Sequence, residues 1–171
     1  RVYKIKFMKN SVLVIAVLLF SILVGSTQVS YERLSNAQTE AKSWLTYSRD
    51  YRSFRHSPLK QINTTNVHKL RPAWVYQIKR PGWIEATPIV ADGIMYITEP
   101  PSTVTALDVR TGRRLWSWTP PMPAKLIHHG FPQVNRGVAI LEGTIYVGTL
   151  DAHLYALDAK SGGVRWKVKL G

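Results

Sequence analysis

The chain has 171 residues, with 23 Lys+Arg against 10 Asp+Glu, a formal net charge of +13, and no cysteine. The lack of cysteine excludes disulfides, thiolate metal sites and cysteine nucleophiles. The positive balance raises nucleic acid as a partner, but the charge is dispersed. Lys4, Lys6 and Lys9 flank an apolar segment, Arg49, Arg52 and Arg55 sit in a loop-like stretch, and Arg113 and Arg114 sit in a turn. With no basic cluster on one helix face and no zinc-ligand pattern, this reads as solvated surface and not as a nucleic-acid interface.

In chain order, a basic stretch ending at Lys9 precedes an apolar run over residues 11–25, which is the layout of a secretory signal. Gly25 and Ser26, or later Ala37, offer small residues for cleavage, and Met8 is a candidate start. The run is shorter than the about 20 apolar residues of a spanning helix. Residues 1–26 are therefore read as an export signal, with an uncleaved membrane anchor as the alternative. Residues 27–42 are polar, lack a strand period, and read as a linker or a short helix.

From residue 43 onward, aromatic and β-branched runs alternate with Gly, Pro, Asp and Asn. Residues 74–78, 87–90, 94–98, 138–141 and 144–149 are strand candidates. Asp92-Gly93 and Glu142-Gly143 fall between pairs of them, where a tight hairpin needs positive φ. The pattern is that of an all-β domain of short strands.

The strongest signal is an internal repeat. Ala106-Leu-Asp-Val-Arg-Thr-Gly-Arg-Arg-Leu-Trp116 returns 50 residues later as Ala156-Leu-Asp-Ala-Lys-Ser-Gly-Gly-Val-Arg-Trp166, and the same offset relates Asp92-Gly93 to Glu142-Gly143 and Tyr96 to Tyr146. Each unit reads as four strands. Asp108 and Asp158 are placed to accept N–H bonds in the turn after the third strand. Gly112 and Gly162 supply a left-handed residue without a Cβ penalty. Trp116 and Trp166 on the fourth strand offer flat surfaces to pack between neighbouring sheets. Four-strand units repeated in this way predict a β-propeller, and about four to eight blades of this size need at least ~200 residues, so the chain is expected to be a piece of a longer protein.

The Ala-x-Asp-x-x-Thr/Ser-Gly-x-x-x-Trp repeat resembles the tryptophan-docking motif of pyrroloquinoline-quinone (PQQ) dependent dehydrogenases. Residues 44–63, beginning Trp44-Leu-Thr-Tyr-Ser-Arg-Asp, look like that family's lead-in to the first blade, and Leu70-Arg-Pro-Ala-Trp-Val-Tyr76 is similar to the strand that follows it. Glu85-Ala-Thr-Pro-Ile-Val90 and Val134-Asn-Arg-Gly-Val-Ala139 resemble two motifs of the quinoprotein alcohol dehydrogenases. The resemblance covers about residues 43–171. It implies the first blades of an eight-bladed propeller that holds PQQ and Ca²⁺ or a lanthanide near its axis. It further implies oxidation of alcohols in the periplasm, with electrons passed to a cytochrome c. A non-catalytic propeller that scaffolds periplasmic or outer-membrane partners is the alternative.

Carried over by motif, Glu85 and Arg136 match the family's PQQ-contacting Glu and Arg. The 50-residue offset sets Arg136 over Ala86, so both residues fall just before the innermost strand of successive blades. An Arg there presents a planar fork of donors to a carboxylate or quinone oxygen, and a Glu accepts from a cofactor N–H. An Arg–Glu pair stapling two blades is the other reading. Many family members carry two adjacent cysteines before the Val-Asn-Arg-Gly motif, where this chain has Gly130 and Phe131. No disulfide forms there, and Phe131 is the candidate to cover the cofactor ring, with a core residue as the other reading. The family's metal ligands, catalytic Asp base and PQQ-supporting Trp come from later blades and are not in this chain. Asp151 with His153, and His128 with His129, are read as loop residues and not as metal ligands.

Overall fold

The computed structural model describes residues 29–123 and 133–170. The apolar N-terminal run, the His128-His129 pair, Gly130 and Phe131 lie outside the described residues.

Among the described residues eight strands form two antiparallel sheets of four. The first contains β1 (Ile89–Ala91), β2 (Ile94–Glu99), β3 (Thr103–Asp108) and β4 (Arg114–Trp118) in that order; the second contains β5 (Ala139–Leu141), β6 (Thr144–Thr149), β7 (His153–Asp158) and β8 (Val164–Lys169). The repeat is kept at the level of register. Ile94 pairs with Asp108 and Thr144 with Asp158, while Ala106 faces Trp116 and Ala156 faces Trp166, each followed by a bulge at the next residue. A small residue opposite a large one explains the alanine: Ala106 and Ala156 are fully buried, and a longer side chain would meet the indole. The expected hairpins have left-handed residues at Asp92, Gly93, Glu142 and Gly143.

The two aspartate turns are near copies. Asp108 Oδ1 accepts from the N–H groups of Arg110 and Thr111 and from the Thr111 hydroxyl, and Asp158 Oδ1 accepts from those of Lys160 and Ser161 and from the Ser161 hydroxyl. Each turn then carries a tryptophan from the preceding unit. The Trp116 indole lies against Gly162, where a Cβ would fall 2.5 Å from Trp116 Cε3, and its Nε1–H donates to Ala159 O at 3.0 Å. Tyr96 donates its hydroxyl to the same carbonyl at 3.2 Å. Burial pushes the Tyr96 phenol up to about 12, so it stays a donor.

Trp74 repeats this arrangement one unit earlier, lying on Gly112 with its Nε1–H donating to Val109 O at 3.0 Å. Residues 74–78 were expected to form a strand. They are extended but unpaired, because among the described residues no neighbouring strand runs beside them, and their docking is through side chains. Trp166 is tilted 55° to Tyr146 of its own sheet at 5.9 Å, as Trp116 is tilted to Tyr96 at 6.0 Å, and is 45 % exposed.

Of the two readings of residues 27–42, a linker or a short helix, the described part, 29–42, contains the short helix. Ser30 caps α1 (Tyr31–Ser35) by accepting from Arg33 N–H, and a 3-10 turn follows at Ala37–Thr39. Val29, Leu34 and Ala37 join the core, Glu142 N–H donates to Val29 O at 2.8 Å, and Arg33 bridges Glu40 and Asp92. These apolar residues are too few and too irregular to show a period. Among the described residues no helix is long and apolar enough to cross a membrane. Trp44 pairs with Val90 and so covers the free edge of β1.

Two predictions follow from the docking turns, both for the full-length protein. Gly162→Ala places an L side chain at φ 73° against the Trp116 ring. Backbone strain and overpacking together cost about 2–5 kcal/mol in denaturant unfolding. Gly148→Ala, whose Cβ would meet nothing within 4 Å, is the control; equal stability of the two variants would refute the docking role. The second prediction concerns acid. The Arg165 guanidinium, then the Ser161 hydroxyl and N–H, hold the Asp158 carboxyl down to about 2 from its ordinary 3.8. A depressed folded-state pKa gives stability that is present above pH 4 and fades as pH falls towards 2. The melting difference between wild type and Arg165→Gln therefore shrinks over that window; a difference constant with pH would contradict the coupling.

Candidate functional site

Strand direction sorts the molecule into two ends. The Asp92-Gly93 and Glu142-Gly143 hairpins, the aspartate turns and α1 gather at one end. The other end holds the approaches to β1 and β5 and the turns after β2 and β6. Glu85 and Arg136, the residues singled out by sequence, lie on those approaches and meet there: Arg136 Nη1 stands 3.1 Å from Glu85 Oε2. The Arg136 side chain is 72 % exposed and that of Glu85 33 %.

The local backbone explains the meeting. Gly137 has φ 113°, and a Cβ built on it would lie 3.4 Å from Thr87 O and 3.8 Å from Ala86 Cβ. The two innermost segments thus pass almost in contact, which sets the Arg and the Glu side by side. Asn135 closes the turn, its Oδ1 accepting from Gly137 N–H at 3.0 Å and its Nδ2 donating to Gly148 O at 2.7 Å. Sequence reasoning passed over Asn135; the signal available was an Asn two residues before a Gly, the spacing of a side-chain-closed turn.

A cavity of about 300 Å³, whose lining does not include Glu85 or Arg136, is formed by Arg80, Pro81, Gly82, Trp83, Pro100, Pro101 and Gln133. At the end of β2 Glu99 is buried and accepts from the Thr105 hydroxyl at 2.6 Å and the Tyr76 hydroxyl at 3.1 Å. Burial first, then the Glu99 charge, pushes the Tyr76 phenol up. A cleft of about 220 Å³ at the opposite end, between Tyr96, Ile140 and Asp158, belongs to the inter-sheet seam.

Among the described residues no group of three or more His, Asp or Glu side chains is assembled to hold a metal. His153 Nδ1 lies 3.0 Å from Asp151 Oδ2, and Asp151 also accepts from Thr149, so this pair is tied within its own turn. The basic lead-in is likewise paired: Arg49 and Arg52 bind Asp50, and the Arg52 and Arg55 guanidinium groups lie over Phe54 and Tyr47.

An anionic, planar ligand suits the Glu85–Arg136 end. One nitrogen of the Arg136 fork faces Glu85 while most of the side chain is open, and PQQ offers carboxylates and quinone oxygens for such a fork.

Two four-stranded sheets docked by tryptophans define a β-propeller with its polar pair at the inner end. The sequence model of the glucose/ethanol/alcohol dehydrogenase β-propeller domain (PQQ) matches residues 44–167, and the chain belongs to this family. It is 45 % identical over 126 residues to the dehydrogenase subunit of the quinone alcohol dehydrogenase of Gluconobacter oxydans, covering 73 % of this chain and 17 % of that one. It is also 45 % identical to the 1-butanol dehydrogenase (cytochrome c) of Thauera butanivorans, over 72 % of this chain and 18 % of that one. Among solved structures, the quinohemoprotein alcohol dehydrogenase ADHIIG of Pseudomonas putida HK5 superposes with a TM-score of 0.78 at 42 % identity, over 85 % of this chain and 21 % of that one. A europium-containing methanol dehydrogenase superposes with a TM-score of 0.77 at 33 % identity, over 82 % of this chain and 25 % of that one. The chain thus spans about a fifth of the length of the curated relatives it matches.

The exposure of Arg136 separates its two readings. An ion pair this open contributes at most about 1 kcal/mol. A double-mutant cycle of Glu85→Gln and Arg136→Gln on the stability of the full-length protein is expected to give a coupling no larger than that, and a coupling of several kcal/mol would make the pair a structural staple.

Proposed function

We propose that this chain is the N-terminal part of an exported, PQQ-dependent alcohol dehydrogenase that oxidises alcohols to aldehydes in the periplasm and passes electrons to a cytochrome c. The complete protein is an eight-bladed propeller holding PQQ with Ca²⁺ or a lanthanide. The basic-flanked apolar run over residues 11–25 supports export. The relatives named as alcohol dehydrogenases, one of them as cytochrome c-linked, support the chemistry.

The observation that carries the proposal is the open Arg136 fork set beside Glu85 at the inner end of two adjacent sheets. When bound, PQQ with its metal would supply the two-electron acceptor for alcohol oxidation. This chain's own residues bind and orient. Arg136 would donate to a cofactor carboxylate or quinone oxygen, Glu85 would fix the Arg and accept from a cofactor N–H, and the tryptophan docks would keep the two inner segments in register. The base and metal ligands belong to later blades.

The test is titration of apo full-length protein with PQQ and Ca²⁺ or La³⁺, followed by alcohol-dependent dye reduction. Loss of a charge-assisted bond predicts that Arg136→Ala weakens PQQ binding by roughly 10- to 100-fold. Unchanged affinity in a well-folded variant would overturn the site assignment, and no PQQ binding by the wild type would favour the scaffold reading.

A further inference from the structure

We propose that Asn135 is the positioning residue for Arg136, and that it reads the seam between the two sheets in doing so. The inference rests on the reading of Arg136 as a cofactor contact.

Asn135 is held by four polar contacts from three directions. Its Nδ2 donates to Gly148 O of β6 at 2.7 Å and reaches Ser102 Oγ, in the turn after β2 of the first sheet, at a longer 3.4 Å. Its Oδ1 accepts from Gly137 N–H at 3.0 Å. Its main-chain oxygen accepts from the Thr98 hydroxyl of β2 at 3.4 Å. Arg136 is the one residue bracketed between Asn135 Oδ1 and Gly137 N. The short side-chain bond therefore closes a turn around the Arg backbone, and the other contacts tie that turn to both sheets.

The repeat shows how specific this is. The 50-residue offset that sets Gly148 over Thr98 also sets Asn135 over Glu85. In the first unit this position carries a carboxylate that reaches forward to Arg136. In the second it carries an amide that donates to Gly148 O of its own sheet and reaches Ser102 of the first. Thr98, the counterpart of Gly148, donates across the seam to Asn135. Asparagine is the short side chain that places two donors and an acceptor on one planar group. Aspartate has no donor for Gly148 O, and glutamine carries its amide one methylene further out. An exposed, long Arg bound to an unpinned backbone would have to be ordered by the ligand at the cost of affinity; the Asn135 turn orders its base beforehand.

The experiment uses the apo full-length protein and reads the PQQ dissociation constant and the thermal melt of Asn135→Ala, Arg136→Ala and the double variant. Asn135→Ala is expected to weaken PQQ binding roughly tenfold or more while its apo melt stays within a few degrees of wild type. The double variant should bind no more weakly than Arg136→Ala alone, since a residue acting through Arg136 has nothing left to position. If Asn135→Ala does not fold, Asn135→Ser, which keeps a small uncharged polar group, takes its place in the same cycle. Wild-type affinity in the Asn135 variant, or losses that multiply in the double variant, would overturn this inference while leaving the Arg136 assignment intact. Wild-type affinity in Arg136→Ala would overturn both.

Discussion

A tryptophan ring lying flat on a residue without a Cβ sets the distance between neighbouring sheets. With Trp116 Cε3 only 2.5 Å from where a Gly162 Cβ would stand, the ring reaches the backbone of the next unit, and the indole N–H then finds Ala159 O without stretching. The contact combines a large apolar face with one directional bond. Flat packing alone allows two sheets to slide; the bond to a single carbonyl, shared with the Tyr96 hydroxyl, does not. Trp74 on Gly112 repeats the same geometry one unit earlier, so the spacing is a property of the repeat and is passed along the chain by nearest-neighbour contacts.

That constraint acts at one end of the sheets and is felt at the other. β1 and β5 are three residues each, so Glu85 and Arg136 stand beyond the last ladder bonds, on segments that the sheets themselves do not fix. Their approach depends on the sheet spacing set by the tryptophans and on Gly137, where a Cβ would lie only 3.4 Å from Thr87 O. The pair adds little stability, given how open Arg136 is. Its place is inherited from packing done elsewhere, which leaves the guanidinium free to spend its donors on a ligand.

Much of this was legible in the sequence because the repeat is strict. Register, hairpins, aspartate turns and the burial of Trp116 all follow from one 50-residue offset, since identical spacing forces identical ladders. The meeting of Glu85 with Arg136 was legible for the same reason: both hold positions just ahead of corresponding inner strands. What escaped lies where the repeat breaks. The 74–78 segment has strand composition but no described partner to pair with, and pairing is a tertiary fact that composition does not carry. Residues 27–42 allowed a linker as well as a short helix because Val29, Leu34 and Ala37 bury themselves one at a time, at no regular period. Asn135 escaped because the same repeat position holds an acid in one unit and an amide in the next, and the repeat does not carry their different partners, Arg136 for Glu85 and Gly148 O for the amide.

This division between repeated and non-repeated positions says where function can reside on such a scaffold. A position that must be the same in every unit, such as the docking glycine or the turn aspartate, is committed to packing and has no freedom to take a ligand. Positions just ahead of the inner strands carry no ladder bonds and dock no tryptophan, so they are free to differ from unit to unit: Glu85 beside Asn135, Ala86 beside Arg136. A ligand at the inner end touches several units at once and needs a different group from each. A repeat whose inner approaches vary while its outer turns stay constant meets both demands, holding rigidity in the turns and chemistry in the approaches, as the two units of this chain do.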